Sequence, residues 1–156
     1  MKYSMMGLQV EEMSFALNTQ ALAKKDAKLE VHPQISGGVT RDPNNEKIWS
    51  ANLMVRVVST ETAPAPFALR VRIRGIFEAD GLVDEADRRD LAYNMVEMVF
   101  PHLRSTVTTL TANAFVRPLM LPMIPVENLF PPEAIFTETG VVVPKKEEDG
   151  GNGDLN

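Results

Sequence analysis

The residues of this chain that could do chemistry are few and scattered. Its two histidines, His32 and His102, have no second histidine at ligand spacing beside them, and there is no cysteine. A zinc site or a histidine-assisted nucleophile would need partners that only folding could bring. Both histidines therefore read as packed or surface residues, and His102 as a residue of an interface. Carboxylates cluster at Glu11-Glu12, at Asp84-Glu85-Asp87-Asp90 and at Glu147-Glu148-Asp149. Paired acids can act as general acid and base, but a strand bend, a helix start and a terminal stretch are places where carboxylates are solvated or cap a helix. Gly37-Gly38 and Gly150-Gly151 lack the spacing of a phosphate-binding loop. The expectation is no enzyme, no catalytic residue, no metal and no cofactor.

Non-covalent chemistry has more to work with. Arg70, Arg72 and Arg74 recur at period two, which puts three guanidinium groups in a row on one face of a strand. Two readings stand: a solvated face balanced by cross-strand acids such as Glu11, Glu12 or Glu30, or a docking surface for an acidic partner. The other candidate is the segment around Met120 and Met123, flanked by Leu119, Leu121 and Ile124. Its side chains are flexible, polarisable and able to adapt to many partners. It either covers the edge of the core or binds.

Composition narrows the partners. The chain is 44% hydrophobic and 24% charged over 156 residues, enough for one domain with a genuine core. Its net charge of -5 argues against a nucleic acid held through phosphates. Met1 to Val10 lacks the charged segment, apolar core and cleavage site of a signal peptide, and no run of about 18 apolar residues occurs, so no membrane insertion is expected. The expected localisation is cytoplasmic.

The elements that must position these groups follow from periodicity. Asp84 to Phe115 reads as one long helix, capped by Asp84 with Asp87 in its first turn and kinked between Glu97 and Pro101. Ala92, Val96, Val99, Phe100, Leu103, Val107, Leu110 and Ala114 form its stripe toward a sheet. The neighbouring flank, Leu91, Met95, Met98, His102, Ser105, Thr106, Thr109 and Asn113, is uncharged, which calls for a second cover, and another chain is expected there. Ahead of the helix, four segments read as strands. Tyr3 to Leu17 changes parity, so a bulge is expected near Glu11 or Glu12. Leu29 to Val39 is a half-buried strand interrupted by Pro33. Trp49 to Val57 alternates, and Phe67 to Ile73 alternates most cleanly of all. A polar connection at 18–26, with a helical turn at 20–25, joins the first two. After Phe115 three prolines forbid regular structure up to Val126, a short helix can begin at Val126 to Phe130, and Pro131-Pro132 stops it. Lys145 to Asn156 is charged and glycine-rich, and disorder is expected there.

The order of these elements resembles the SecB protein-export chaperone family. The likeness runs from about Ser4 to Phe130. It is strongest in Gly75-Ile76-Phe77 at a strand end and in Phe100-Pro101-His102-Leu103-Arg104 at the helix kink, and the family's proline-punctuated run is echoed from Pro118 to Phe130. The resemblance implies an α+β fold, a four-stranded antiparallel sheet packed by one long kinked helix. It implies an ATP-independent holdase for unfolded or secretion-bound polypeptides, assembled as a dimer of dimers. It assigns Leu119 to Val126 to a loop bordering a peptide-binding groove. The expected peptide-binding residues are then Phe77, Leu119, Met120, Leu121, Met123, Ile124, Val126 and Phe130, and the expected oligomer interface is Met95, His102, Thr106, Thr109 and Asn113. The chaperone domain is expected over residues 1–136, followed by a flexible acidic tail over 137–156. The translocase motor SecA is a further partner implied by the family. Members that hand cargo to SecA present acidic groups on the exposed sheet face, however, where this chain has Ala16 and Arg70. The alternatives are a chaperone dedicated to one client, such as an antitoxin, and a structural oligomerisation domain that binds no peptide.

Overall fold

The structure is a computed structural model that describes residues 1–144. Of the tail expected over 137–156, the part from Lys145 onward lies outside the described residues, while residues 137–142 complete two short strands. In chain order the elements are β1 (Lys2–Leu17), α1 (Thr19–Ala23), β2 (Gln34–Arg41), β3 (Ile48–Val57), β4 (Phe67–Asp80), α2 (Glu85–Asn113), a 3-10 turn (Val126–Leu129), β5 (Ile135–Thr137) and β6 (Gly140–Val142). The sheet has six strands in the order β1-β4-β3-β2-β6-β5, not the four expected. The two extra strands are three residues each, too short for alternation to be legible. Their hairpin docks on β2 where Thr40 faces Gly140. Gly140 has φ of 140°, and a Cβ there would sit 2.4 Å from the Val39 carbonyl oxygen, so only glycine lets the strands meet. The domain boundary expected at 136 falls inside β5.

The four long strands follow their sequence pattern. β3 and β4 bury Trp49, Ala51, Leu53, Val55, Val57, Phe67, Leu69, Val71, Ile73 and Phe77 on one face and turn Arg56, Arg70 and Arg72 outward. β1 pairs with β4 and slips register between Val10 and Glu12, as its change of parity requires, and again between Met5 and Gly7, which the alternation did not reveal. β2 begins only after Pro33, so Leu29 and Val31 lie in a connection rather than a strand. Asn18 holds the start of that connection. Its side chain accepts from Ala21 N at 3.2 Å and donates to the Ser59 hydroxyl and the Ala65 carbonyl, each at 3.0 Å.

α2 starts where its cap predicts, with the Asp84 carboxylate accepting from Asp87 N at 2.9 Å, and continues through Pro101. Pro101 lies on the exposed side, where the Glu97 carbonyl that loses its helical donor can meet water. Ala92, Val96, Val99, Phe100, Leu103 and Val107 pack onto the sheet as their spacing requires.

One flank of α2 is covered by the chain itself. After Phe115 the chain folds back along the helix toward its N-terminus. The Thr111 hydroxyl accepts from Leu119 N at 2.8 Å and the Thr108 hydroxyl donates to Leu119 O at 3.0 Å. Arg104 reaches Met123 Sδ at 3.2 Å. Tyr93 stacks 5.3 Å from Phe130 and 5.8 Å from Phe136, and Arg88 donates to the Phe136 carbonyl at 2.8 Å. The short helix expected from Val126 is a 3-10 turn that ends at Leu129, and beyond Pro131-Pro132, which cannot continue a helix, the chain forms the β5-β6 hairpin.

Candidate functional site

The turn that ends α2 places a phenylalanine where glycine is usual. Ala114 caps the helix through bonds to Leu110 O and Thr111 O at 3.1 and 3.2 Å. The next residue, Phe115, has φ of 59° and is 97% exposed. The backbone of a non-glycine residue in this left-handed region is strained, and here the ring stands free over a groove of about 840 Å³.

That groove is built from five parts of the chain. Leu17 ends β1, Leu22 belongs to α1, Leu29 and Val31 come from the connection ahead of β2, and Phe67 forms part of the floor. Val116 and Leu119 close the side below Phe115, and Arg117 is the charged residue of the lining. With a lining so short of hydrogen-bonding groups, the groove suits apolar side chains of an extended ligand. Sequence reasoning identified Leu119 but missed Leu17, Leu22, Leu29, Val31 and Phe115. The exposed phenylalanine at a helix end was the available signal.

The other expected peptide-binding residues divide by burial. Met120 and Met123 are 64% and 74% exposed, on the returning segment that follows the groove residue Leu119. Ile124 and Val126 are half-buried. Phe77 and Leu121 are fully buried and Phe130 nearly so, all three within the core cluster. Helix and sheet, or the returning segment, cover these three, so in the folded chain they belong to the core rather than to the open surface of the groove.

A second uncovered surface lies where β1 extends beyond the helix. Its helix-side residues Leu8, Val10 and Met13 are exposed, and a cleft of about 330 Å³ separates Val10 and Met13 from Ser105, Thr106, Thr109, Leu110 and Asn113 of α2. His102, Thr109 and Asn113 are exposed on that flank and Thr106 is half-buried. The Thr106 hydroxyl donates to His102 O at 2.8 Å within the helix, which leaves its methyl for contact. Met95 does not join them. It is fully buried in the core of this chain. Leu17, the last inward residue of β1, connects this surface to the groove.

Nothing in the site resembles a reaction centre. His102 is exposed, and His32 lies 2.9 Å from Glu30 on open surface. Among the described residues no group of three or more His, Cys, Asp or Glu could hold a metal ion, and no helix is long and apolar enough to cross a membrane.

Comparison with known proteins agrees with this architecture. An uncharacterized protein of Methanocaldococcus jannaschii is 27% identical over 123 residues, 77% of each chain. The SecB-like chaperone of Mycobacterium tuberculosis, solved in complex with a ChAD peptide from the HigA1 antitoxin, shares the fold at a TM-score of 0.60. Its identity is 14%, over 78% of this chain and 90% of that one. The family model described as preprotein translocase subunit SecB matches residues 2–134, and the chain therefore belongs to the SecB family.

Proposed function

We propose that this chain is an ATP-independent holdase that captures extended, non-native polypeptide in the groove beneath Phe115. The observation that carries the reading is the apolar groove whose rim residue, Phe115, is both strained in its backbone and almost wholly exposed. Apolar burial stabilises such a complex without selecting a sequence, at about 25 cal/mol per Å² removed from water. Leu119, Met120, Met123, Ile124 and Val126 are the ligand-facing residues in this reading, joined by Leu17, Leu22, Leu29, Val31 and Phe115. The chaperone unit proposed is the domain expected over residues 1–136, extended to Val142 so that the β5-β6 hairpin stays whole.

The assembly proposed uses the overhang of β1 and the uncharged flank of α2. A second copy placed there would cover Val10, Met13, Thr106, Thr109, Asn113 and His102, and two such pairs would make a dimer of dimers. Export of secretory chains is the family role. Dedication to one client is supported by the similar fold that was solved with an antitoxin peptide.

Solution mass by light scattering, alone and with a permanently unfolded polypeptide in the absence of nucleotide, tests the proposal. An oligomer that gains client mass is the expected result. An oligomer that never gains mass refutes the holdase and leaves a structural assembly. A range of unrelated clients set against a single one separates the general chaperone from the dedicated one.

A further inference from the structure

We propose that the sheet face turned away from α2 is a docking surface for an acidic, extended peptide segment of a partner protein. It lies on the opposite side of the sheet from the apolar groove and goes beyond client capture. Arg70, Arg72 and Arg74 occupy successive outward positions of β4, and Arg56 of β3 stands directly across from Arg70. Like charges facing each other across a ladder repel. Their local partners do not balance them. Glu12 meets Arg70 Nε at 2.9 Å, while Glu11 approaches Arg72 only to 3.9 Å. Arg56 Nε donates to Gln34 Oε1 at 3.1 Å, and Arg74 Nη2 donates to the Ser50 hydroxyl at 2.9 Å. Four guanidinium groups thus face two carboxylates in a chain whose net charge is -5. Glu78, the outward carboxylate further along β4, lies beyond Ile76.

A second observation comes from the neighbouring glycines. A Cβ at Gly37 would crowd its neighbours, 2.7 Å from Leu53 Cδ2 and 3.2 Å from the Asn52 carbonyl oxygen. Gly38 is required by nothing: a Cβ built on it meets no atom within 4 Å, and its φ is not positive. Glycine weakens a strand, and one that neither backbone nor packing demands leaves room for another chain to approach closely. Gly38 edges a furrow of about 230 Å³ shared with Asn52, Met54, Arg70 and Arg72.

Charge complementarity names the occupant. In an extended peptide alternate side chains are about 6.6–6.8 Å apart, which matches the two-residue spacing of Arg70, Arg72 and Arg74, so alternating carboxylates can meet the row in register. A long polyanion such as nucleic acid would be repelled by the remainder of an acidic chain.

The test is fluorescence anisotropy of a labelled peptide of alternating Glu and Ser, about four Debye lengths long at physiological salt, titrated with the intact 156-residue chain. The expected result is binding that weakens as salt rises, with about tenfold loss in Arg56→Gln/Arg72→Gln, the scale on which charge-assisted bonds act. Gly38→Leu, which fills the furrow, should weaken binding while its melting temperature stays at the wild-type value. Lys24→Gln/Lys25→Gln, with the same change in net charge, should leave binding intact. No binding by the wild type, undiminished binding by the arginine variant, or equal loss in the lysine control overturns the proposal. So does displacement of the peptide by single-stranded DNA at equal concentration.

Discussion

Phe115→Gly separates the demands of the fold from those of the ligand, because the two should respond in opposite directions. The folded chain holds Phe115 at φ of 59° with 97% of its surface in water. Its ring contributes almost nothing to packing, and its backbone pays about 1 kcal/mol for the left-handed conformation. Glycine removes that strain but also gains freedom in the unfolded chain, so the net change is small, from zero to about 1 kcal/mol in favour of folding. For a chain of this size that is a rise of at most about 2–4 °C in melting temperature. The ligand loses more. Fully burying a phenylalanine is worth about 1.5–3 kcal/mol, and a client that covers half of the ring would forfeit about 0.8–1.5 kcal/mol, roughly a four- to tenfold rise in Kd. Anisotropy of a labelled unfolded polypeptide measures the second quantity and calorimetry the first. A melting temperature that falls by several degrees would show that the ring supports the fold. An unchanged Kd would remove Phe115 from the site, and with it the observation on which the groove rests.

The remaining predictions concern the other surfaces. Met120→Ser/Met123→Ser should weaken client capture without altering the mass of the assembly, and equal capture in the same anisotropy titration would take that segment out of the site. Thr109→Glu places a carboxylate on the uncharged flank of α2. Burying it unpaired costs several kcal/mol, so light scattering should find smaller units, and an unchanged mass refutes the interface. Thr111→Val removes the buried hydroxyl that accepts from Leu119 N at 2.8 Å. An amide left unsatisfied costs about 1–3 kcal/mol, so calorimetry should find a melting temperature lower by several degrees. No change there would mean that the returning segment is held by packing alone.

Local pattern determined a large share of this protein. Alternation in Trp49 to Val57 and Phe67 to Ile73 sets which side chains face the helix, because a strand has period two whatever it pairs with. The parity change near Glu11 demanded a bulge, and Asp84 with Asp87 located the start of α2 to the residue. The arginine row and the uncharged flank were legible for the same reason, since each is a property of one element. Whether an apolar residue is available to a ligand is not such a property. Phe77, Leu121 and Phe130 are no less apolar than Phe115, Met120 and Met123, yet the first three are covered and the second three are not. That difference depends on where the proline-rich segment travels, which no periodicity encodes, and on two three-residue strands docked through Gly140. The groove brings together Leu17, Leu29, Phe67 and Phe115, and the face-to-face pair Arg56 and Arg70 exists only through the register of β3 on β4. Tertiary structure decided these, because burial and facing are relations between elements distant in the chain.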